Sequence, residues 1–304
     1  DYGWSSGTYC QKVYQGYTTK IEKDVVISTW QSIYKMPRKY FEHFGCVIGD
    51  EAHMFKAKSL TGIMTKLHQC KYRFGLTGTL DGSQTHKLVL EGLFGTAEKV
   101  VSTKELIDKK TLANLKIKCI VLKHPTKKER MDYVEEMDYI VSRESRNKFI
   151  LDLCKNISGN TLCLFQLVEK HGKILHDGMK GGENVYFVYG GTDTEQREKI
   201  RGLVEGHTKS TTIASYGTFS TGINIRNINN IVLASPSKSK IRVLQSIGRG
   251  LRTSSTKDSI LIFDIADDIS YGERRNFTLN HFFERINIYN EEQFNYEISK
   301  VKIK

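Results

Sequence analysis

The feature that most constrains this chain is the regular alternation of short apolar runs with helix-patterned stretches. Asp24-Val-Val-Ile-Ser28, Phe44-Gly-Cys-Val-Ile-Gly49 and Tyr72-Arg-Phe-Gly-Leu76 read as strands, and residues 58–69 between the last two carry a helical pattern. Strands that alternate with helices predict a parallel α/β sheet. In such sheets chemistry gathers where the strands end. Polar clusters begin at those points: Asp50 follows the second strand, and Thr77-Gly78-Thr79 follows the third.

The second half repeats the rhythm. Thr161–Phe165, Asn184–Val188, Thr211–Ala214, Asn230–Ala234 and Ser259–Phe263 read as strands, the last being the final clear one. Asn147–Cys154 and Ile241–Leu251 read as helices, and Thr192-x-x-Glu195 reads as a capping box that opens a helix over Glu195–Val204. Between the halves, residues 103–128 hold eight lysines against Glu105 and Asp108. That stretch reads either as a basic inter-domain connector or as a solvated surface segment. The predicted organisation is a first α/β domain over 1–102, a connector over 103–142, a second α/β domain over 143–270 and a helical tail over 271–304. Tail aromatics such as Phe282 and Tyr289 either pack onto the second domain, the better reading, or stack on bases.

A length of 304 residues suits two ordinary domains, each with its own core. There are 46 Lys and Arg against 34 Asp and Glu, a net +12, so a polyanionic partner is as good a reading as an inert basic surface. No apolar run is long enough to span a membrane, and the first residues have no secretory pattern. Asp1 rather than methionine opens the chain, so its start is expected upstream. The six cysteines form no CxxC pair, which argues against a disulfide scaffold or structural zinc and for a reducing cytoplasm. Cys46 and Cys163 sit in apolar runs and read as core residues.

Two motifs carry chemistry. Asp50-Glu51-Ala52-His53 follows a buried-type strand. An Asp there can hold Mg²⁺ beside phosphates, and the adjacent Glu can orient or deprotonate water. Gln245-Ser-Ile-Gly-Arg249-Gly-Leu-Arg252 places two arginines three residues apart on one predicted helix face. They suit either a γ-phosphate or a plain basic face with acidic neighbours.

Taken in order along the chain, these motifs resemble those of superfamily 2 helicases, motors built from two RecA-like domains. Asp50–His53 resembles motif II, Leu76–Thr79 motif III, Gly217–Asn224 motif V and Gln245–Arg252 motif VI, while Val26–Gln31 matches the region of motif Ib. The likeness covers roughly residues 20–265 and, with the Lys/Asn/Ile usage, is greatest to recombination helicases of T-even phages. It implies ATP and Mg²⁺ as cofactors. By resemblance, Asp50 positions the metal, Glu51 activates water, and His53, Thr77 and Thr79 couple hydrolysis to the second domain and to grip on DNA. Arg249 and Arg252 become arginine fingers reaching across the cleft between the domains. Gln245, Gly222 and Asn224 become nucleotide contacts, Asn224 standing where many relatives carry Asp. Ser28, Thr29, Trp30, Gln31, Thr218 and Ser220 become candidate DNA contacts. Trp30 reads equally well as a core residue, and the Thr77–Thr79 hydroxyls also suit a locally bonded turn.

One departure is large. A phosphate-binding loop, G-x-x-x-x-G-K-[ST], is absent; the only Gly-Lys is Gly172-Lys173, and Ile174 follows it. In the family this loop precedes motif II. The chain therefore resembles the back part of motor domain 1, an incomplete RecA-like unit, followed by all of motor domain 2, and is expected to be inactive alone. The implied function is an ATP-driven DNA motor acting on forks, Holliday junctions and RNA–DNA hybrid loops in recombination and repair. The alternatives are a duplex translocase that leaves strands paired, a nucleotide-dependent RNA sensor and a non-catalytic nucleic-acid-binding module.

Overall fold

A computed structural model gives the structure of the chain. It describes residues 4–55, 57–78, 84–125, 131–221, 225–237, 239–252 and 257–304, without the side chains of 84, 219–221, 240 and 241. Two compact units emerge, residues 1–99 and 100–304.

Unit 1 holds two small parallel sheets. β1 (Cys10–Val13) pairs with β2 (Val25–Ser28), and β3 (Cys46–Gly49) pairs with β4 (Tyr72–Gly75). The helix Lys58–Lys66 presents Leu60, Ile63 and Met64, spaced three and four apart, and they meet Phe41, Phe55, Leu67 and Leu90 in one core. Cys46 is exposed, contrary to the expectation that it is a core residue. Among the described residues β3 pairs only with β4, and its apolar pattern is that of a strand covered on both faces. Ile48 on the same strand is 65% exposed.

Unit 2 is a seven-stranded, wholly parallel sheet in the order β11-β5-β10-β9-β6-β8-β7. Its strands are β5 (Asn114–Lys123), β6 (Asn160–Phe165), β7 (Val185–Val188), β8 (Ser210–Ser215), β9 (Asn230–Leu233), β10 (Ser259–Asp268) and β11 (Tyr296–Lys302). Every residue of β6, β8 and β9 is buried, as central parallel strands require. One core lies on each face of the sheet. Leu162, Ile231 and Ile262 belong to one, and Cys163, Val232 and Phe263 to the other.

Three expectations are corrected. Residues 103–142 are not a connector. They supply the helix Thr103–Asp108, the helix Tyr133–Ser142 and β5, which lies between β10 and β11. In β5 the lysines alternate with Leu115, Ile117 and Cys119, so the period is that of a strand with one exposed face. The tail is helical only over Phe277–Glu291 and ends in β11, although its aromatics do pack inward as expected: Phe282 and Tyr289 are core residues. Finally, the helix Thr194–Gly206 is capped by Asp193, whose carboxylate accepts from Gln196 N. The Thr192 hydroxyl instead accepts from Tyr189 N and closes the preceding turn.

The order fixes where a site belongs in unit 2. After β6 the chain moves to one side of the sheet, towards β7, and after β9 it moves to the other, towards β10. β6 and β9 are neighbours, so the crevice at their carboxyl ends is the topological switch point.

Candidate nucleotide and nucleic-acid site

In unit 1, β3 ends at Gly49, and Asp50 and Glu51 follow as exposed residues. Asp50 Oδ1 accepts from Glu51 N at 2.9 Å, which turns the chain sharply. Glu51 sits in the left-handed region at φ 47°, a conformation that costs a non-glycine residue about 1–3 kcal/mol and gathers at functional sites. The turn drops His53 into the interior. Its Nδ1 lies 3.0 Å from Thr77 Oγ1 and 3.3 Å from Glu51 Oε2. Backbone bonds run in parallel, Ala52 N to Leu76 O and Leu76 N to Gly49 O, both 2.8 Å. The Asp50–His53 loop and the Leu76-Thr77 loop are thus one hydrogen-bonded piece. Small residues allow it: a Cβ on Gly49 would come within 2.8 Å of Phe55, and one on Gly75 within 2.9 Å of Phe94. Those two rings pack edge to face beneath the loops.

Near the start of unit 1, the Ser28 hydroxyl donates to Val13 O at 2.7 Å, and Thr29 Oγ1 pairs with Ser32 Oγ at 2.9 Å. Gln31 is exposed, and so is Trp30, at 39%, with its ring set edge-on to Tyr34. Trp30 is therefore no core residue.

In unit 2, the helix Lys240–Gly250 starts at Ser239, whose hydroxyl accepts from Arg242 N. It carries Gln245 and Arg249, both half-buried. Arg252 lies past the C-cap Leu251 and is exposed, so the two arginines do not share one helix face as their spacing predicted. Gly250 lets this helix press onto the sheet, since a Cβ there would meet Ile260 at 2.2 Å and Ile231 at 2.8 Å. The buried Lys257 ammonium bonds Gly250 O at the helix end, and burial draws its pKa down to about 8. Thr218 is buried, with its hydroxyl 2.7 Å from Ser215 Oγ rather than open to solvent. Thr79, Gly222, Asn224 and the Ser220 side chain lie outside the described residues.

Sequence reasoning missed the polar frame at the switch point. Arg146 holds Asp267 bidentately at 2.7 and 2.9 Å and donates to Ala234 O. His124 Nε2 lies 2.9 Å from the same carboxylate. His171 Nδ1 lies 2.8 Å from Ser235 Oγ, which also accepts from Gln166 N. A second buried pair, Arg285–Asp264, donates to Ser237 O, and Tyr216 OH donates to Ser235 O. Residues 234–237, which lead into the helix of Gln245 and Arg249, are held at three successive points by these side chains. The only outward signal was a run of acids in Phe263-Asp-Ile-Ala-Asp-Asp268, too buried a pattern for a solvated face.

The large parallel sheet of unit 2, with its polar frame at the switch point, has the architecture of a RecA-like domain. The chain belongs to the superfamily 2 helicases. Residues 4–82 match the family described as type III restriction enzyme, res subunit, and residues 145–254 match the helicase conserved C-terminal domain. Among relatives, it is 35% identical over 302 residues to the ATP-dependent DNA helicase uvsW of Enterobacteria phage T4, covering 93% of this chain and 60% of that protein. The crystal structure of T4 UvsW matches with a TM-score of 0.54 at 33% identity, over 98% of this chain and 63% of that one. A fragment of a putative HsdR subunit of a type I restriction enzyme from Vibrio vulnificus shares the fold, with a TM-score of 0.73 at 16% identity, over 96% of this chain and 55% of that one. The chain thus spans about three fifths of the uvsW protein.

No helix among the described residues is long and apolar enough to cross a membrane.

Proposed function

We propose that this chain is the working part of an ATP-driven DNA motor that remodels branched DNA, in the cytoplasm, as a recombination or repair helicase. The observation that carries the reading is the joining of Asp50–His53 to Thr77 through one side-chain and two backbone bonds. A nucleotide-sensing loop and a loop that reports its state would need that rigidity.

The residues fit a magnesium nucleotide. Asp50 offers an exposed carboxylate with one oxygen already oriented by Glu51 N, and Mg²⁺ needs only one or two carboxylates beside phosphates and water. The bound metal would neutralise phosphate charge. Glu51, held outward by its left-handed backbone, accepts a proton from the attacking water. His53 passes a shift of Glu51 to Thr77. Arg249 and Arg252 meet the charge that develops on the γ-phosphate, a role worth about 10³–10⁵ in turnover in NTPases. Gln245, Gly222 and Asn224 contact the nucleotide, and Thr79 joins Thr77 in coupling. Thr29, Trp30, Gln31 and Ser220 contact the DNA backbone. Ser28 and Thr218 contribute through the backbone positions they fix.

The test is Glu51→Gln in the complete polypeptide. DNA-stimulated ATP turnover should fall by at least 10³ while ATP binding persists; retained turnover would sink the reading. The 304-residue chain by itself, without a phosphate-binding loop among its residues, should show no turnover on forked DNA. The match of residues 4–82 to a restriction res subunit supports a second reading, a duplex translocase that leaves strands paired. Strand displacement on forked DNA separates the two.

A further inference from the structure

The basic segment singled out in the sequence has no part in the motor reading, yet the fold gives it a definite place. The helix Thr103–Asp108 and the first half of β5 line a groove of 810 Å³ at the edge of the unit 2 sheet where the strands begin. This is the opposite edge from Ser215, Thr218 and Ser235. Its polar lining includes Lys104, Lys116 and Lys118 with the amides of Asn114, Gln293 and Asn295. We infer that this groove binds the phosphodiester backbone of a nucleic-acid strand, in addition to the strand gripped by the motor residues.

Three observations carry this. Asn114, Lys116 and Lys118 are alternate residues of one strand, and all three are exposed on one face while Leu115, Ile117 and Cys119 point into the core. Alternate residues stand about 7 Å apart along a strand. That is comparable with the step between successive phosphates of a nucleic-acid backbone, so the two ammonium groups match a repeating anion rather than a single one. The lining also combines lysines with neutral amides, the usual pairing for backbone phosphate and sugar oxygens. Finally, part of the lining is preformed: Leu115 and Phe294 belong to the core on the other face of the sheet from Lys116 and Lys118, so that wall needs no ordering when a strand binds.

Two carboxylates, Asp108 and the exposed Asp258, also line the groove, against three lysines, and they do not close the site. Lys104 pairs with Asp108 at 2.8 Å and Lys118 with Glu297 at 3.3 Å, but both pairs are exposed, and such pairs exchange readily for another anion. Lys116 has no ion-pair partner among the described residues. The choice of nucleic acid over an acidic peptide rests on the motor reading above and on the even spacing of the lysines.

The experiment measures binding of labelled forked DNA to the full chain by fluorescence anisotropy across a salt series. The unmodified protein is compared with K116Q/K118Q and K116E/K118E, and circular dichroism and thermal midpoints confirm that all three are folded. Losing two phosphate contacts should lower the slope of log affinity against log salt by about two. The charge reversal should bind at least tenfold more weakly at low salt. Equal affinity and equal slope for all three proteins would overturn the inference and leave the groove to an acidic peptide or to nothing. Failure of the unmodified chain to bind DNA at all would instead overturn the motor reading, and this one with it.

Discussion

Thr77 is the residue on which the proposed coupling turns. Its hydroxyl is 3.0 Å from His53 Nδ1, and Glu51 lies 3.3 Å from the same nitrogen. Thr77→Val keeps the side-chain shape and removes one hydrogen bond, worth about 0.5–1.5 kcal/mol. In the complete polypeptide the expected outcome is a thermal midpoint shifted by only a few degrees, with stimulation of ATP turnover by DNA cut about tenfold. Steady-state turnover with and without DNA checks it; a fall in basal and stimulated rates by the same factor would assign Thr77 to folding instead. At this scale the grouping of the candidate residues in unit 1 was legible, because Asp50, Glu51, His53 and Thr77 are adjacent or follow strand ends in the sequence. The frame of unit 2 was not. Arg146 and Asp267 are 121 residues apart and meet only because helix Glu144–Asn156 packs against β10's end.

Elements read well where one periodicity acted alone and badly where charge masked it. β6, β8 and β9 have apolar or small residues almost throughout, and their positions matched expectation to within a residue or two. β5 alternates lysines with core residues and β11 mixes Glu297, Lys300 and Lys302 with apolar residues, so the one was read as a charge run and the other as part of a helical tail. On β11, an edge strand, such lysines also discourage pairing with another chain. The helix Phe277–Glu291 shows a cap that no local pattern reveals. Glu136, 1% exposed, accepts from Phe277 N at 2.9 Å, Thr278 N at 2.6 Å and the Asn276 amide at 2.8 Å. A carboxylate from another helix therefore satisfies the free N–H groups and meets the positive end of the helix dipole. Glu136→Gln keeps the size but replaces an acceptor of three bonds with an amide that must also bury its NH₂ group. A loss of about 1–3 kcal/mol in urea unfolding is expected, and an unchanged midpoint would mean that the helix is held by Phe282 and Tyr289 packing alone.

For the molecule as a whole, the buried ionic frame ties stability to acidity. His171 is kept neutral by burial and by the Arg146 charge, which lower its pKa to about 3. Burial alone would raise Asp267, but the Arg146 charge and the His124 hydrogen bond outweigh it and bring it to about 2. Unfolded, the two groups return to about 6.5 and 3.9. Each then binds a proton more readily in the unfolded chain than in the folded one, so stability rises with pH across both intervals. Both contributions are complete above about pH 6.5. As the pH falls, that of His171 is lost first, from about 6.5 down to about 3, at up to about 1.4 kcal/mol per pH unit. That of Asp267 follows between about pH 4 and 2 and steepens the decline. Urea unfolding of the chain at pH 7.5, 6, 5 and 4.5 should show this fall, read from the transition of unit 2. Other carboxylates also titrate in that range, so the diagnostic is a difference. His171→Gln cannot take up the proton and can still hydrogen-bond near Ser235, so it should start less stable at pH 7.5 and lose less between pH 6.5 and 4.5. Parallel curves for the two proteins would show that His171 accepts its proton without unfolding, and that the frame around residues 234–237 yields to a charge in its midst.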